Sequence, residues 1–351
     1  MRKVPAVLVC DAGMCSLPSA GLTVLDRLVI TTHLAGCAPI IIVSERTPPL
    51  PRATALGIKT IALPVPPELH EPALMITGAV LVEPRDLEQV VKQCGQLISS
   101  TGSRLPVCMS TPDPPPVRAE GVAIPINDGA SAREAERQLW ASLTSSSDGL
   151  VDRFFNRPVG RLLSKVLVHT PVSPNQVSIA SILIGVASGW FFGAGQFLFG
   201  AIVLQISAIV DCIDGDLARA LFKQSFVGKW LDLAGDQVVH FAVFAGIGIG
   251  VARSNPSGPA LALGASAAIG VLLCLFVIVR GMQVPADRRS LLFNKLIDAA
   301  ANRDFSVLLL ALALAGKIEL FLWLAGIGVH VFWMTMLTLQ HTHAVRRARH
   351  T

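Results

Sequence analysis

Long apolar blocks fill the second half of the chain, and they limit the possible folds more than any other feature of the sequence. About 20 apolar residues are needed to cross the hydrocarbon core of a bilayer. The blocks predict an all-α domain of six transmembrane helices, with spans at residues 177–195, 197–214, 229–252, 259–280, 304–317 and 319–340. With 52% hydrophobic and 15% charged residues, the chain has the composition of an integral membrane protein rather than of an ordinary soluble one.

Basic residues are concentrated in the loops on one side of these spans. The opposite side carries Arg253 and Lys317, whereas the first side carries Arg153, Arg157, Arg161, Lys165, Arg219, Lys223, Lys229, Arg280, Arg288, Arg289, Lys295, Arg303, Arg346, Arg347 and Arg349. An excess of Lys and Arg marks the cytosolic side of a membrane protein. We therefore expect the N-terminal domain, the loop between spans two and three, and the basic tail at residues 341–351 to be cytosolic.

Residues 1–140 have a different pattern, because short β-rich runs alternate with helical segments there. That alternation predicts a three-layer α/β domain with a mainly parallel sheet. Near its end, Ser131 and Glu134 have the spacing of a capping box, which predicts a helix that continues to about Ser145. Residues 141–176 follow as a linker whose basic and aromatic side chains predict an amphipathic helix at the membrane interface. The sequence thus predicts a multidomain protein, with a six-helix membrane domain at residues 177–340.

Four aspartates lie where spans two and three are joined, in the stretch DCIDGDLARALFKQSFVGKWLDLAGD at residues 211–236. Asp211 and Asp214 are three residues apart and Asp232 and Asp236 are four apart, so each pair lies on one face of a helix. Clustered carboxylates at the edge of a bilayer are costly unless cations compensate them. Oxygen ligands favour Mg²⁺ or Mn²⁺, and two such ions would clamp a pyrophosphate. Solvated loop residues or helix caps are the alternative interpretation, which four regularly spaced aspartates make the weaker one.

Two glycines and an arginine accompany the aspartates. Gly215 and Gly228 remove side chains where a nucleotide would approach, and Arg219 offers a fork for phosphate. The pattern DxxDGxxAR, eight further residues and GxxxDxxxD resembles the signature of the CDP-alcohol phosphotransferase family. Its fixed positions are occupied by Asp211, Asp214, Gly215, Ala218, Arg219, Gly228, Asp232 and Asp236. The resemblance covers about residues 148–340, including TPVSPNQVS before the first span.

The resemblance implies a reaction in which the hydroxyl of an alcohol attacks the β-phosphorus of a CDP-linked donor, such as CDP-diacylglycerol, and expels CMP. Asp211, Asp214 and Asp232 would be metal ligands. Asp236 would be the general base on the acceptor and would also contact a metal. The CDP site would be lined by Gly215, Ala218, Arg219 and Gly228.

The same resemblance implies cofactors, partners and a location. We expect a two-metal Mg²⁺ or Mn²⁺ site, membrane lipids as partners and a homodimer. We also expect a role in phospholipid biosynthesis. The chain is expected in a bacterial or archaeal inner membrane. Nucleic acid is not expected as a partner despite the net charge of +5, because the basic residues lie in juxtamembrane loops rather than on one dense face.

The first domain resembles a nucleotidyltransferase of the sugar-nucleotide type, from AVLVCDAGMCSL onward. Its fusion to this membrane family is similar to that of inositol-phosphate cytidylyltransferases joined to di-inositol-phosphate-phosphate synthases. Residues 13–17 are GMCSL where that fold has a GxGxR phosphate loop, and Thr77 and Gly78 stand where a metal-binding aspartate is required. Backbone donors and a cation are needed to hold a triphosphate. We therefore expect a degenerate domain that does not activate CTP and acts as a scaffold or regulatory module.

Other functions remain open from the sequence. One is a synthase of the di-inositol-phosphate-phosphate type that uses CDP-inositol, and another is a non-enzymatic membrane scaffold that recruits a partner. A transporter fits less well, because the carboxylates cluster at one membrane face. The acceptor alcohol and the roles of His240, Arg280 and Arg303 are not determined by the sequence.

Overall fold

The computed structural model describes residues 3–144, 149–284, 289, 291–300 and 305–348. The chain divides into two compact units, Met1–Leu143 and Thr144–Thr351. The first unit is an α/β domain and the second is helical, as predicted. Arg288, Arg303 and Arg349 lie outside the described residues, as do the side chains of Lys295, Arg346 and Arg347.

Eleven strands and five helices make up the described part of the first unit. The strands are β1 Ala6–Val9, β2 Pro18–Ser19, β3 Leu22–Thr23, β4 Ile40–Val43, β5 Thr60–Leu63, β6 Leu74–Thr77, β7 Val80–Val82, β8 Gln96–Ile98, β9 Arg104–Met109, β10 Pro116–Arg118 and β11 Ala123–Pro125. The helices are α1 Ala12–Cys15, α2 Val24–Leu34, α3 Pro51–Ala55, α4 Pro84–Gln93 and α5 Gly129–Ser142.

Seven of the strands form one sheet in the order β10-β8-β9-β6-β1-β4-β5. The pairs β1/β4, β1/β6, β4/β5 and β8/β10 are parallel, but β9 is antiparallel to both β6 and β8. The sheet is therefore mixed but mainly parallel, as expected, since β9 alone of its seven strands runs against the others. A short turn joins β8 to β9, and a connection of that length permits only antiparallel neighbours. The three-layer arrangement stays a prediction.

Helix α5 begins at a different cap from the predicted one. Asp128 is the N-cap, and its carboxylate accepts a hydrogen bond from the backbone N–H of Ser131 at 2.7 Å. The Ser131 hydroxyl in turn accepts one from the Asp128 N–H at 3.0 Å, so Ser131 is the third residue of the helix rather than its cap. The Ser131 N–H lowers the pKa of the Asp128 carboxyl, and the Ser131 hydroxyl adds to this effect.

The second unit consists of helices throughout its described residues. A π-helical turn at Asp152–Asn156 precedes α6 Arg157–Leu167, α7 Pro174–Gly193, α8 Phe197–Ala220, α9 Phe226–Ser254, α10 Ala260–Met282, α11 Leu291–Ala300, α12 Phe305–Leu314 and α13 Ile318–Ala348. Within the described residues, five helices are long and apolar enough to cross a membrane, namely α7, α8, α9, α10 and the first 25 residues of α13. The chain is an integral membrane protein. The fifth predicted span corresponds to α12, which has ten residues, so the count of six is not confirmed.

Capping residues fix the ends of the helices that carry the aspartates. Helix α7 begins with a capping box between Ser173 and Gln176, with Pro174 in its first turn. Helix α8 ends at Ala220, and Phe222, two residues beyond it, is left-handed with a φ of 52°. Helix α9 begins only four residues after Phe222, where the Ser225 hydroxyl accepts a hydrogen bond from the Gly228 N–H at 2.9 Å. This short turn brings the end of α8 beside the start of α9.

Glycines let α7 and α9 pack with their backbones in contact. A Cβ atom at Gly246 would lie 2.1 Å from the carbonyl oxygen of Gly189, and one at Gly250 would lie 2.0 Å from the carbonyl oxygen of Phe192. Both distances are far shorter than any non-bonded contact allows. Close approach through small residues is a common way for membrane helices to associate, because lipid supplies no hydrophobic drive between them. This contact fixes α9 against α7.

Helix α6 and the turn before it have one apolar exposed face and one face against α8. The exposed face carries Phe154, Phe155, Leu162, Leu163 and Val166. On the other face, Gly160 packs so closely that an added Cβ would lie 3.0 Å from the carbonyl oxygen of Ile209. An amphipathic helix of this kind suits a membrane interface. Its placement in the interface stays a prediction.

Candidate active site

Three of the four predicted aspartates come together where α8 and α9 meet. One carboxylate oxygen from each of Asp211, Asp214 and Asp232 lies within 4.8 Å of the others. Asp214 is buried, Asp211 is half-buried and Asp232 is exposed. The group therefore spans the boundary between the helix packing and the open side of the site. The short turn between the helices explains why residues 18 positions apart in the sequence, Asp214 and Asp232, become neighbours.

Two serines of α7 orient the aspartates of α8. The Ser181 hydroxyl donates a hydrogen bond to Asp211 Oδ1 at 2.9 Å, and the Ser178 hydroxyl contacts Asp214 Oδ2. The two serines are three residues apart, as are the two aspartates, so one turn of α7 matches one turn of α8. From the sequence, Ser178 was noted only as the last residue of TPVSPNQVS, where the first span begins, and Ser181 was not predicted to belong to the site. The matching three-residue spacing was the available signal.

Asp236 lies one turn beyond Asp232 on α9 and is not a member of the three-carboxylate group. Its side chain is only 1% exposed. One turn further, His240 is also buried, and its ring packs against those of Phe305 at 4.9 Å and Phe244 at 6.2 Å between centroids. A general-base role for Asp236 stays a prediction.

A cavity of about 510 Å³ opens beside the carboxylates. All four residues predicted to line a CDP site contribute to its wall, as do two of the aspartates. The complete lining is Pro174, Asn175, Ser178, Asp214, Gly215, Ala218, Arg219, Lys223, Gln224, Ser225, Phe226, Gly228, Lys229 and Asp232. A volume of this size is typical of small-molecule sites. Two carboxylates and three cationic side chains in one wall suit a ligand with several phosphate oxygens and bound cations.

The glycines of the wall leave room for protein side chains. A Cβ atom at Gly215 would lie 3.1 Å from Nη2 and 3.2 Å from Nη1 of Arg219. At Gly228 the nearest atoms would be Asn175 Oδ1 and Ser225 Oγ, both at 3.1 Å. Each glycine thus lets a polar side chain lie flat against a helix. Contact of either glycine with a nucleotide stays a prediction.

Several cavity residues were not predicted from the sequence. Lys223 and Lys229 add to the charge of Arg219, and Asn175 adds a polar amide. The two lysines lie at positions that the family signature leaves variable, and Asn175 lies before the signature, in TPVSPNQVS. Arg280, at the end of α10, is exposed and does not line the cavity. Its role stays open.

The carboxylate group suits a hard divalent cation. Its members supply oxygen donors alone, and one of them, Asp214, is 8% exposed. Carboxylates this close repel each other strongly at the edge of a bilayer, and the repulsion is relieved by a bound cation. Mg²⁺ and Mn²⁺ prefer such oxygen ligands. Asp211, Asp214 and Asp232 can therefore hold a metal ion.

Comparison with known proteins connects this region to a described family. Residues 171–340 match the family model described as CDP-alcohol phosphatidyltransferase. The "Bifunctional IPC transferase and DIPP synthase" of Rubrobacter xylanophilus is 32% identical over 180 residues, which cover 51% of this chain and 39% of that protein. The "Archaetidylinositol phosphate synthase" of Pyrococcus horikoshii is 32% identical over 94 residues, which cover 27% of this chain and 50% of that protein. The chain thus spans half or less of the length of these relatives.

Among solved structures, the crystal structure of the phosphatidylinositol phosphate synthase of Mycobacterium tuberculosis with CDP-DAG bound is similar to this chain. It has 18% sequence identity and a TM-score of 0.40, and the match covers 52% of this chain and 93% of that one.

Proposed function

We propose that the chain transfers a substituted phosphate group from a CDP-linked donor to the hydroxyl of an alcohol and releases CMP, because residues 171–340 match the model of the CDP-alcohol phosphatidyltransferase family. The observation that carries the proposal is the position of the carboxylate group. Asp214 and Asp232 belong both to that group and to the wall of a cavity of about 510 Å³. A donor seated in the cavity would have its phosphates beside the carboxylates.

The residues of the site divide the work between them. Asp236 accepts the proton of the acceptor hydroxyl as that oxygen attacks the β-phosphorus, since a buried carboxylate beside the site is well placed to act as a base. Arg219 donates hydrogen bonds to the phosphate oxygens of the CDP-linked substrate, and Gly215, Ala218 and Gly228 line the site of its CDP moiety. Ser178 and Ser181 hold the α8 carboxylates in place.

Asp211, Asp214 and Asp232 would hold the metal, with Asp236 contributing to a two-ion arrangement. When bound, Mg²⁺ or Mn²⁺ supplies positive charge that stabilises the phosphates and the CMP leaving group. The three carboxylates come from two helices, and the serines of a third helix hold two of them. The protein therefore fixes the ligand oxygens before the cation arrives, which reduces the cost of ordering them.

Further features of the membrane domain belong to the same proposal. Helix α12 would form the sixth crossing, and both ends of the domain would then face the cytosol. The basic residues of the α8–α9 turn support a cytosolic site in a bacterial or archaeal inner membrane. Membrane lipids surround the helices, and a homodimer would form through them.

A second candidate concerns the donor and the product. The names of the relatives favour inositol compounds as substrates: one is an archaetidylinositol phosphate synthase, and another is named in part as a DIPP synthase. A chain that used CDP-inositol would make a water-soluble phosphodiester, whereas CDP-diacylglycerol would give a lipid. Lys223 and Lys229 in the cavity wall would suit a phosphorylated acceptor in either reaction.

Product analysis tests the proposed function. The full chain in liposomes is incubated with Mg²⁺, with CDP-diacylglycerol or CDP-inositol, and with inositol, inositol phosphate, glycerol phosphate or serine. We expect release of CMP with at least one pair, and loss of that release when EDTA removes the metal. Mass spectrometry of the organic and aqueous phases distinguishes the lipid product from the soluble one. A folded protein that releases no CMP with any pair would contradict the proposal and favour a scaffold.

The N-terminal domain is proposed to be catalytically inactive. Where a phosphate-binding loop would follow β1, the Asp11 carboxylate instead accepts a hydrogen bond from the Gly13 N–H at 2.6 Å. At the end of β6, Gly78 has a φ of 137° and offers no ligand for a cation. We expect the full chain with CTP, Mg²⁺ and inositol phosphate to release pyrophosphate no faster than buffer does. Formation of CDP-inositol together with pyrophosphate would overturn this expectation.

A further inference from the structure

Asp216 is the buried centre of a charge cluster next to the candidate site. Its side chain is 0% exposed and lies two residues beyond Asp214 on α8. Arg157 Nη1 lies 2.9 Å and Arg219 Nη2 lies 3.1 Å from Asp216 Oδ1, and Arg161 Nε lies 3.7 Å from Oδ2. One carboxylate therefore faces three guanidinium groups.

The cluster connects two helices to the cavity. Arg157 and Arg161 belong to α6, whereas Asp216 and Arg219 belong to α8. Of the three arginines, Arg219 lines the cavity. Asp216 thus lies between the cavity arginine and the arginines of the helix that precedes the first membrane span.

Asp216 restricts where the Arg219 guanidinium can lie. The guanidinium folds back over Gly215, where an added Cβ atom would lie 3.1 Å from Nη2 and 3.2 Å from Nη1 of Arg219. The Asp216 carboxylate binds the guanidinium in this position. The Arg219 side chain is still 26% exposed. A free arginine side chain carries about 2 kcal/mol of rotamer entropy, so fixing it beforehand favours any ligand that it contacts.

The charge of the cluster also suits an anionic ligand. Three arginines and one aspartate leave two positive charges in excess. Burial keeps solvent from screening them as it would at an open surface. A diphosphate in the cavity would meet this excess at Arg219, the arginine of the cluster that lines the wall.

We propose that Asp216 is a positioning residue for donor binding: it holds the Arg219 guanidinium at the cavity wall, and Arg157 of α6 holds Asp216. The inference rests on the proposed function, because Arg219 must contact the diphosphate of a CDP-linked donor. It adds a residue that the family signature leaves variable, and it makes α6 part of the donor site.

Binding of CDP, the moiety common to all donors of this class, tests the inference. Isothermal titration calorimetry is done on the full chain in detergent with Mn²⁺. We expect Asp216→Asn to raise the Kd for CDP by about tenfold, the loss of roughly one charge-assisted hydrogen bond. In an Arg219→Gln background, Asp216→Asn should alter the Kd for CDP by less than about twofold, because the guanidinium that Asp216 positions is already absent. A purely structural role would weaken binding in both backgrounds.

Two further variants complete the test. Arg157→Gln should weaken CDP binding in the same direction and should also lose its effect in the Arg219→Gln background. It replaces Asp216→Asn if that variant does not fold. Arg253→Gln is the control, since Arg253 bonds the Gly193 carbonyl at 2.6 Å at the other end of α9 and should leave the Kd unchanged.

The outcomes separate the inference from the proposed function. If the unmodified chain does not bind CDP with Mn²⁺, the proposed function fails and the inference fails with it. If the unmodified chain binds CDP and folded Asp216→Asn or Arg157→Gln binds it equally well, the inference alone is wrong. Equal weakening in the presence and absence of Arg219 would also overturn it.

Discussion

Replacing Asp236 with asparagine should abolish CMP release while leaving the protein folded. Asparagine has nearly the same shape but cannot accept the acceptor proton, and a positioned general base typically contributes about 10²- to 10⁴-fold to a rate. At 1% exposure, the Asp236 side chain is shielded from bulk water, which is therefore a poor substitute for it as a proton acceptor. We therefore expect the turnover number to fall by at least about 10²-fold, with the Kd for CDP changed by much less.

The measurement compares Asp236→Asn with Asp152→Asn in the same membrane domain. The Asp152 carboxylate accepts a hydrogen bond from the Asn156 side chain at 2.7 Å and does not line the cavity. Both variants are purified, their thermal unfolding and CDP binding are recorded, and CMP release is then followed with the active substrate pair. Asp152→Asn should retain activity. Near-normal turnover in Asp236→Asn would show that Asp236 is not the base.

Replacing Gly246 with alanine should disrupt the packing of the membrane domain. The new Cβ would lie 2.1 Å from the Gly189 carbonyl oxygen, which is backbone and has no rotamer to change. The helices α7 and α9 would have to separate, and the cost of such overpacking is about 1–3 kcal/mol or more. Because α7 carries Ser178 and Ser181, the separation would also disturb the α8 carboxylates that these serines hold.

Gly328→Ala provides the matched control for this prediction. Gly328 lies on α13, and a Cβ there meets no atom within 4 Å in the described structure. Size-exclusion chromatography after stepwise heating in detergent measures the stability of both variants. We expect a lower midpoint temperature, or aggregation, for Gly246→Ala and an unchanged profile for Gly328→Ala. Equal stability of the two variants would mean that the backbone contact between α7 and α9 contributes nothing.

The membrane helices were predictable because hydropathy adds up over about twenty residues. Helices α7 to α10 lie where the first four spans were expected, and the ends of α8 and α9 extend further than the apolar runs do. The second span was predicted to end at Asp214 and the third to begin at Lys229, but α8 continues to Ala220 and α9 begins at Phe226. The helix continues past Asp214 because Ser178 of α7 contacts that carboxylate and the cavity adjoins it. The ten-residue α12 is too short for hydropathy alone to establish a crossing.

Other features depend on contacts that a sequence does not reveal. The direction of β9 is set by the length of its connection to β8, while its own residues would suit either direction. Asp216 meets Arg157, which lies 59 residues earlier, and no periodicity links the two. The spacing of the aspartates did predict a common face for each pair, and the structure brings Asp211, Asp214 and Asp232 together.

The short turn between α8 and α9 affects how the site forms while the chain is being translated. Every cavity residue lies between Pro174 and Asp232, and the group of three carboxylates with its serines falls within the same segment. The contacts that build the site are therefore local along the chain, and local contacts form early because little loop entropy opposes them. As the chain emerges from the ribosome, its first three membrane helices suffice to assemble the carboxylate group, before α10 to α13 have been made.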